Sequence, residues 1–374
     1  MSFYSIVHQI SFWIILAFIS SFIIRFILLM DPNKRVYNHT PGPCRVVSEK
    51  YKGTAGIHLV ESQNRVYITY GYGRVFNMST PAGIATFEVR KIDPTAQTQN
   101  PHIYDLTELR IHWNGYKNKS TFSPSGISSY SSAGRTLLYI IDSLNSCIQF
   151  FQVIDKTTIS HRKAICDPEQ LANLQDITVV GADRFYVSSL TFFNNRYLRI
   201  FELAMQSTIG KVYLYDGKEL GVAIDKLASP SAIKYDSNRN LLYVSSFLNE
   251  VIRVYKVGKD LTLQLKTEIS TLSSVVGIHI DKKSGDLWVA CHPVLFQTIL
   301  HYYNPHEKNI RSPSQILRIR MQEDGVSWVI TEPYANDGAT ISSSHSLAYF
   351  EEQLLIGTTF GRLLHCDVLN PQIT

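Results

Sequence analysis

The most readable chemistry in this sequence belongs to five cysteines: Cys44, Cys147, Cys166, Cys291 and Cys366. No two are spaced C-x-x-C, which argues against a zinc site or a thioredoxin-like motif. In an oxidising compartment an odd number leaves at least one thiol unpaired. Cys44 and Cys366 stand near the two ends of the folded part. A bond between them would close a very long loop, worth on the order of 4 kcal/mol or more in the chain-entropy model. Spacing leaves open whether Cys147 and Cys166 pair. Cys291 is followed by His292. A catalytic thiol needs a placed base, and none is evident, so a buried thiol beside a packed, hydrogen-bonded histidine is expected. Three sequons, at Asn38, Asn77 and Asn118, would accept glycan if the chain enters the secretory lumen.

The elements that must position these residues begin with an apolar N-terminal run. Ile10 to Met30 reads ISFWIILAFISSFIIRFILLM, long enough to cross a hydrocarbon core of about 30 Å. It is longer than a signal h-region and no A-x-A-like site follows, so an uncleaved signal-anchor is expected rather than a cleaved signal. Arg25 interrupts the run. It either snorkels to the interface or contacts a partner helix in the membrane. Lys34, Arg35 and Arg45 follow the span, which by the positive-inside rule would keep the large domain cytosolic. The sequons argue the opposite. Long domains translocate largely regardless of charge, so a lumenal or extracellular domain is expected.

The whole sequence is 45% hydrophobic and rich in Tyr and Phe, 21 and 18 residues. These favour strands over helices. The net charge of +5 is dispersed, and no Lys/Arg block offers a nucleic-acid footprint. One pattern recurs: a short strand, a polar turn, then an apolar strand. It begins at Gly56, Gly126, Asp176, Ala232, Gly277 and Ser346, spaced by 45 to 70 residues. Six such units with further strands between them predict an all-β fold, a six-bladed β-propeller behind an N-terminal anchor helix. The expected layout is a tail at 1–9, the anchor at 10–30, a juxtamembrane linker at 31–43, the propeller at 44–368 and a tail at 369–374. A Cys44–Cys366 bond would tie the first and last blades together. A helical insertion is expected at Cys166–Leu174, where Asp167 caps and Pro168 suits the first turn.

At this point the residues resemble a known family. SGDLWVACHP at Ser284 is similar to the paraoxonase/arylesterase signature. So are GPC at Cys44, FSPSGIS at Phe122, LQDITVVG at Leu174 and EPYANDGATISSSHSLAYF from Glu332. The resemblance covers roughly Cys44 to Val368. It implies a six-bladed propeller around two calcium ions, closed by a disulfide between the first and last cysteines, with lactonase and arylesterase activity. The ligand positions depart from that chemistry. Where the family carries a Glu-Asp pair this chain has Ala55 and Gly56. The Asn-Asp pair falls on Gln175 and Asp176, a further Asn on Ser231, and the Asp-Asn pair on Val276 and Gly277. The catalytic histidines fall on Ser125 and Ser143, which cannot serve as general bases near neutral pH. Calcium wants six to eight oxygen ligands. No cofactor is therefore expected, beyond weak calcium at Asp176 and Gln175. His58 and Glu61, near the first site, are expected at the surface.

The leading expectation is a non-catalytic membrane-anchored propeller. It resembles nematode paraoxonase-like membrane proteins, which assist degenerin-type sodium channels in the endoplasmic reticulum and accompany them to the surface. The competing expectation is a calcium-dependent lactonase or arylesterase hydrolysing esters or lactones.

Overall fold

The structure, a computed structural model, describes residues 3–89, 104–307, 309–322 and 327–370. Residues 1–2 and 371–374, at the outer ends of the two expected tails, lie outside the described residues. Period-two apolar strands meeting polar turns have folded into six antiparallel sheets arranged as blades. Their inner strands are Gly56–Val60, Pro124–Ser132, Leu174–Gly181, Pro230–Asp236, Ser274–Ile280 and Ser344–Phe350. Each recurring pattern in the sequence is the inner hairpin of one blade, its first strand lining the hub and its second packing outside it. Blade 2 carries an extra parallel strand, Arg110–His112, on its outer edge. A separate cluster of buried apolar side chains fills each interface between neighbouring blades. Large aromatics such as Trp288, Tyr67, Tyr139 and Phe151 are fully buried there, because interleaved sheet faces need bulk to reach native packing density.

Ring closure joins the chain ends. Cys44–Ser48 is the outermost strand of blade 6 and pairs antiparallel with Leu363–Asp367. Cys44 lies opposite Cys366 in that register, and the two form a disulfide with Cα atoms 4.1 Å apart. A second disulfide, Cys147–Cys166, pins two paired strands of blade 2. Cys291 is the free thiol, fully buried.

Three elements differ from the sequence expectation. The N-terminal helix α1 starts earlier and runs Phe3–Met30, with a membrane-length apolar stretch over Ile6–Met30. Ile6 and Val7 continue the apolar run outward past Ile10, and no Gly or Pro interrupts residues 3–9, so the tail joins the helix. The linker is docked rather than free: His39 pairs with Ala335, the Asp337 amide donates to Asn38 Oδ1 at 2.7 Å, and Lys34 Nζ donates to the Leu272 carbonyl at 2.6 Å. The expected helix at Cys166–Leu174 is a capped turn. Asp167 Oδ1 accepts from Glu169 and Gln170 amides at 2.9 Å, but Leu174 already begins an inner strand. The helices that do form are α2 (Arg196–Ala204) and α3 (Leu295–Tyr303). Both lie in second-to-third strand connections, and α1 approaches α3. One propeller face therefore carries α2, α3 and the end of the apolar helix.

Candidate functional site at the propeller hub

Six inner strands converge on the hub, and their small residues set how closely they approach. A Cβ at Gly56 would collide with the Ser125 carbonyl oxygen, and one at Gly277 would press on the His345 carbonyl. These two positions match carboxylate and Asn ligands in the resembling family. Neither glycine leaves room for a ligand side chain. One level further along the strands come His58, Ser128, Thr178, Lys234, His279 and Ala348, each two residues after the start of its recurring pattern. Ser128 Oγ accepts from the Val179 amide and Thr178 Oγ1 from the Tyr235 amide, at 3.1 and 3.0 Å. Side chains on one blade thus stitch the backbone of the next.

The predicted site residues are brought to the hub and given protein partners. Asp176 Oδ1 accepts from the Ile177 amide at 2.9 Å and Oδ2 from the Ile233 amide at 3.1 Å. Burial raises its pKa to about 6, against the opposing pull of Lys234 and the two amides. The Gln175 side chain takes a hydrogen bond with Tyr72. Ser125 Oγ and Ser143 Oγ hydrogen-bond each other at 2.7 Å. The Ser231 carbonyl accepts from Ser188 Oγ. A cavity of about 20 Å³ lies among Gly56, Gln175, Asp176, Lys234, Gly277 and His345. Calcium takes six to eight oxygen ligands, carboxylates prominent among them, and a neighbouring ammonium repels it. This cavity offers one carboxylate, whose oxygens both hold amides, and an ammonium. That donor set does not fit calcium. Among the described residues no group of three or more His, Cys, Asp or Glu is placed to hold a metal.

Histidines in and around the hub are held neutral. Burial lowers the pKa of His279 and His345 to about 4, and that of His292 to about 3. His279 Nε2 donates to the Tyr349 carbonyl at 2.8 Å and His345 Nδ1 to the Ala55 carbonyl at 3.2 Å. His292 Nε2 meets the Tyr302 hydroxyl at 3.3 Å. Cys291 is buried and its thiol pKa is pushed far up by desolvation, so it is a packing residue. His58 is a correction: it is half-buried in the hub, with Nε2 2.8 Å from Ser129 Oγ. Its strand faces the channel before the turn begins, whereas Glu61 beyond it is exposed and 3.5 Å from Lys282. Sequence reasoning missed Lys234, His279 and His345. The shared pattern Gly-Ile-His at Gly56 and Gly277, and Ala-Ile-Lys at Ala232, was the signal that they face one channel.

The mouth on the helix-bearing face is capped by rings. A 3-10 turn, Tyr72–Phe76, folds over it. Tyr72 lies 5.1 Å from the His345 ring, and Phe76 lies 5.3 Å from Tyr302 and 4.9 Å from Phe360. Outside this cap, α2 turns Tyr197, Leu198 and Phe201 to solvent, with Tyr197 79% exposed. The three sequon asparagines are exposed, and Arg25 lies on the exposed surface of α1.

A six-bladed propeller closed by a disulfide between its first and last cysteines, behind an apolar N-terminal helix, defines the class: a paraoxonase-type propeller. The family profile described as arylesterase matches residues 16–368, and the chain belongs to the arylesterase (paraoxonase) family. Mechanosensory abnormality protein 6 of Caenorhabditis elegans is 50% identical over 365 residues, covering 97% of this chain and 96% of that protein. Human serum paraoxonase/arylesterase 2 is 28% identical over 301 residues, 78% of each chain. Among solved structures, a luciferin-regenerating enzyme aligns with a TM-score of 0.53 at 12% identity, over 88% of this chain and 96% of its own. A Xanthomonas campestris gluconolactonase has the same TM-score and identity, over 90% and 99%. At that identity these likenesses speak for the fold.

Proposed function

We propose that this protein is a non-catalytic, membrane-anchored propeller that binds and assists membrane proteins, of which degenerin-type sodium channels are the leading candidates. The observation that carries the reading is the paired hydroxyls of Ser125 and Ser143, standing where the family places its histidine dyad. A hydroxyl pair has no base to activate water. The apolar α1 and two disulfides fit a secretory-pathway membrane protein. In this reading the propeller is lumenal or extracellular, Asn38, Asn77 and Asn118 carry glycan, and Arg25 contacts a helix of the partner. The docked linker keeps the α2–α3 face toward the bilayer, where exposed aromatic and aliphatic side chains suit the interface. The channel assignment rests on the family resemblance and on the 50% identity to a protein named for mechanosensory abnormality.

Co-purification from membranes tests this. The tagged full-length chain should retain a degenerin-type subunit in mild detergent, and deleting the protein should lower that subunit's surface level. If no subunit associates and surface level is unchanged, the reading fails. The second reading, a calcium-dependent lactonase or arylesterase, is favoured by the retained Asp176 carboxylate. It requires ester or lactone turnover that disappears on Asp176→Ala.

A further inference from the structure

Lys234 is the unexplained group in the hub. It sits on the inner strand of blade 4, lines the same cavity as Asp176 and Gln175, and lies three blades across the ring from His58. Its side chain is recessed, and desolvation lowers its pKa while Asp176 raises it. The other groups that feel its charge are His58, His279 and Lys282. None of these is a carboxylate, and Lys282 is engaged with Glu61 at 3.5 Å. Asp176 is therefore the counter-charge available to it among the described hub residues. A recessed ammonium without an opposite charge is strongly unfavourable, and so is a lone buried carboxylate. The cavity between them, about 20 Å³, has room for roughly one water.

We propose that the Lys234 ammonium takes the place of a hub cation, balancing the Asp176 carboxylate and so holding the inner strands of blades 3 and 4 together without metal. Three observations converge on this. Asp176 bonds the Ile233 amide next to Lys234, so both charges act on one strand junction. The positions matching the family's other ligands are glycine, alanine, valine and serine, none of which offers a carboxylate, and at Gly56 and Gly277 neighbouring carbonyls leave no room for a side chain. The shared cavity is lined by the Asp176 carboxylate and the Lys234 ammonium together, so a cation entering it would meet a positive charge already in place. The inference concerns the hub alone; a failed co-purification leaves it standing, and its own failure leaves the binding role standing.

A double-mutant cycle on the full-length chain in detergent tests it, read as thermal melting. Lys234→Met should lower Tm by several degrees in the natural background and by much less in Asp176→Asn. Lys234→Arg should restore most of the loss. Chelator or added calcium should leave the natural chain's Tm unmoved. Equal losses from Lys234→Met in both backgrounds would make Lys234 a packing residue and overturn the proposal. So would a Tm that falls on chelation, since a metal would then hold the hub.

Discussion

At the scale of single residues the hub is closed by tight packing and protein hydrogen bonds: Gly56 and Gly277 sit against neighbouring carbonyls and Asp176 holds two backbone amides. Gly56→Asp would drive a side chain into the Ser125 carbonyl. It should destabilise the protein by about 1–3 kcal/mol or more, as overpacking does. Added calcium should not recover the lost Tm in a melting experiment. The buried histidines predict a pH response. Burial pushes the His292 pKa down to about 3 in the folded chain, against about 6.5 for an ordinary imidazole. Its stability contribution is full above about 6.5 and is lost as pH falls toward 3, because the unfolded chain takes up the proton first. Asp176, raised to about 6, acts in the opposite sense, losing stability as pH rises through about 4 to 6. The clean readout is therefore the difference between His292→Phe and the natural chain. That difference should shrink as pH falls from neutrality, with the variant's acid limb the flatter of the two in denaturant melts.

At the scale of elements, ring closure and one buried ion pair concentrate the stability. The Cys44–Cys366 bond has a sequence separation of 322. Replacing Cys366 by Ser should cost about 5 kcal/mol if the loop-entropy model holds, seen as a lower Tm and faster proteolysis at the blade 6 edge. In blade 5, Arg318 Nη2 meets Asp286 Oδ2 at 2.6 Å, with both side chains buried. Arg318→Ala leaves the buried Asp286 carboxylate with the half-exposed Arg320 at 3.6 Å in place of its close partner, and should cost up to about 3–5 kcal/mol, measured by chemical denaturation. Strand patterns made these elements legible before any coordinates. The recurring hairpins at Gly56 through Ser346 mark the inner two strands of every blade, since each must alternate between hub and core. The helices were less legible. Asp167 forms the expected cap, yet the following inner strand ends the turn. Asn195 caps a real helix whose exposed apolar face looks unlike a core-facing stripe. Lys234 was illegible for a different reason. Its counter-charge is 58 residues away in sequence, joined to it only when neighbouring blades meet.

At the scale of the whole molecule, an apolar helix, a docked linker and an aromatic-capped propeller face are held in one orientation. Rings of Tyr72, Phe76, Tyr302 and Phe360 pack against one another over the hub on that face, and the hub hydroxyls of Ser125 and Ser143 bond each other. Loops around the cap, α2 and α3 are then the surfaces left for recognition. If that face meets membrane proteins in the secretory pathway, Asn38, Asn77 and Asn118 stand on the lumenal side. Enzymatic deglycosylation should lower the apparent mass stepwise, and each Asn→Gln change should remove one step. The account's central claim is that the paraoxonase fold here binds and does not hydrolyse. The most direct measurement is aryl ester and lactone turnover by the purified full-length chain with millimolar calcium present. The account predicts no rate above buffer and no change on Asp176→Ala. Sustained turnover that depends on calcium and vanishes in Asp176→Ala would contradict it.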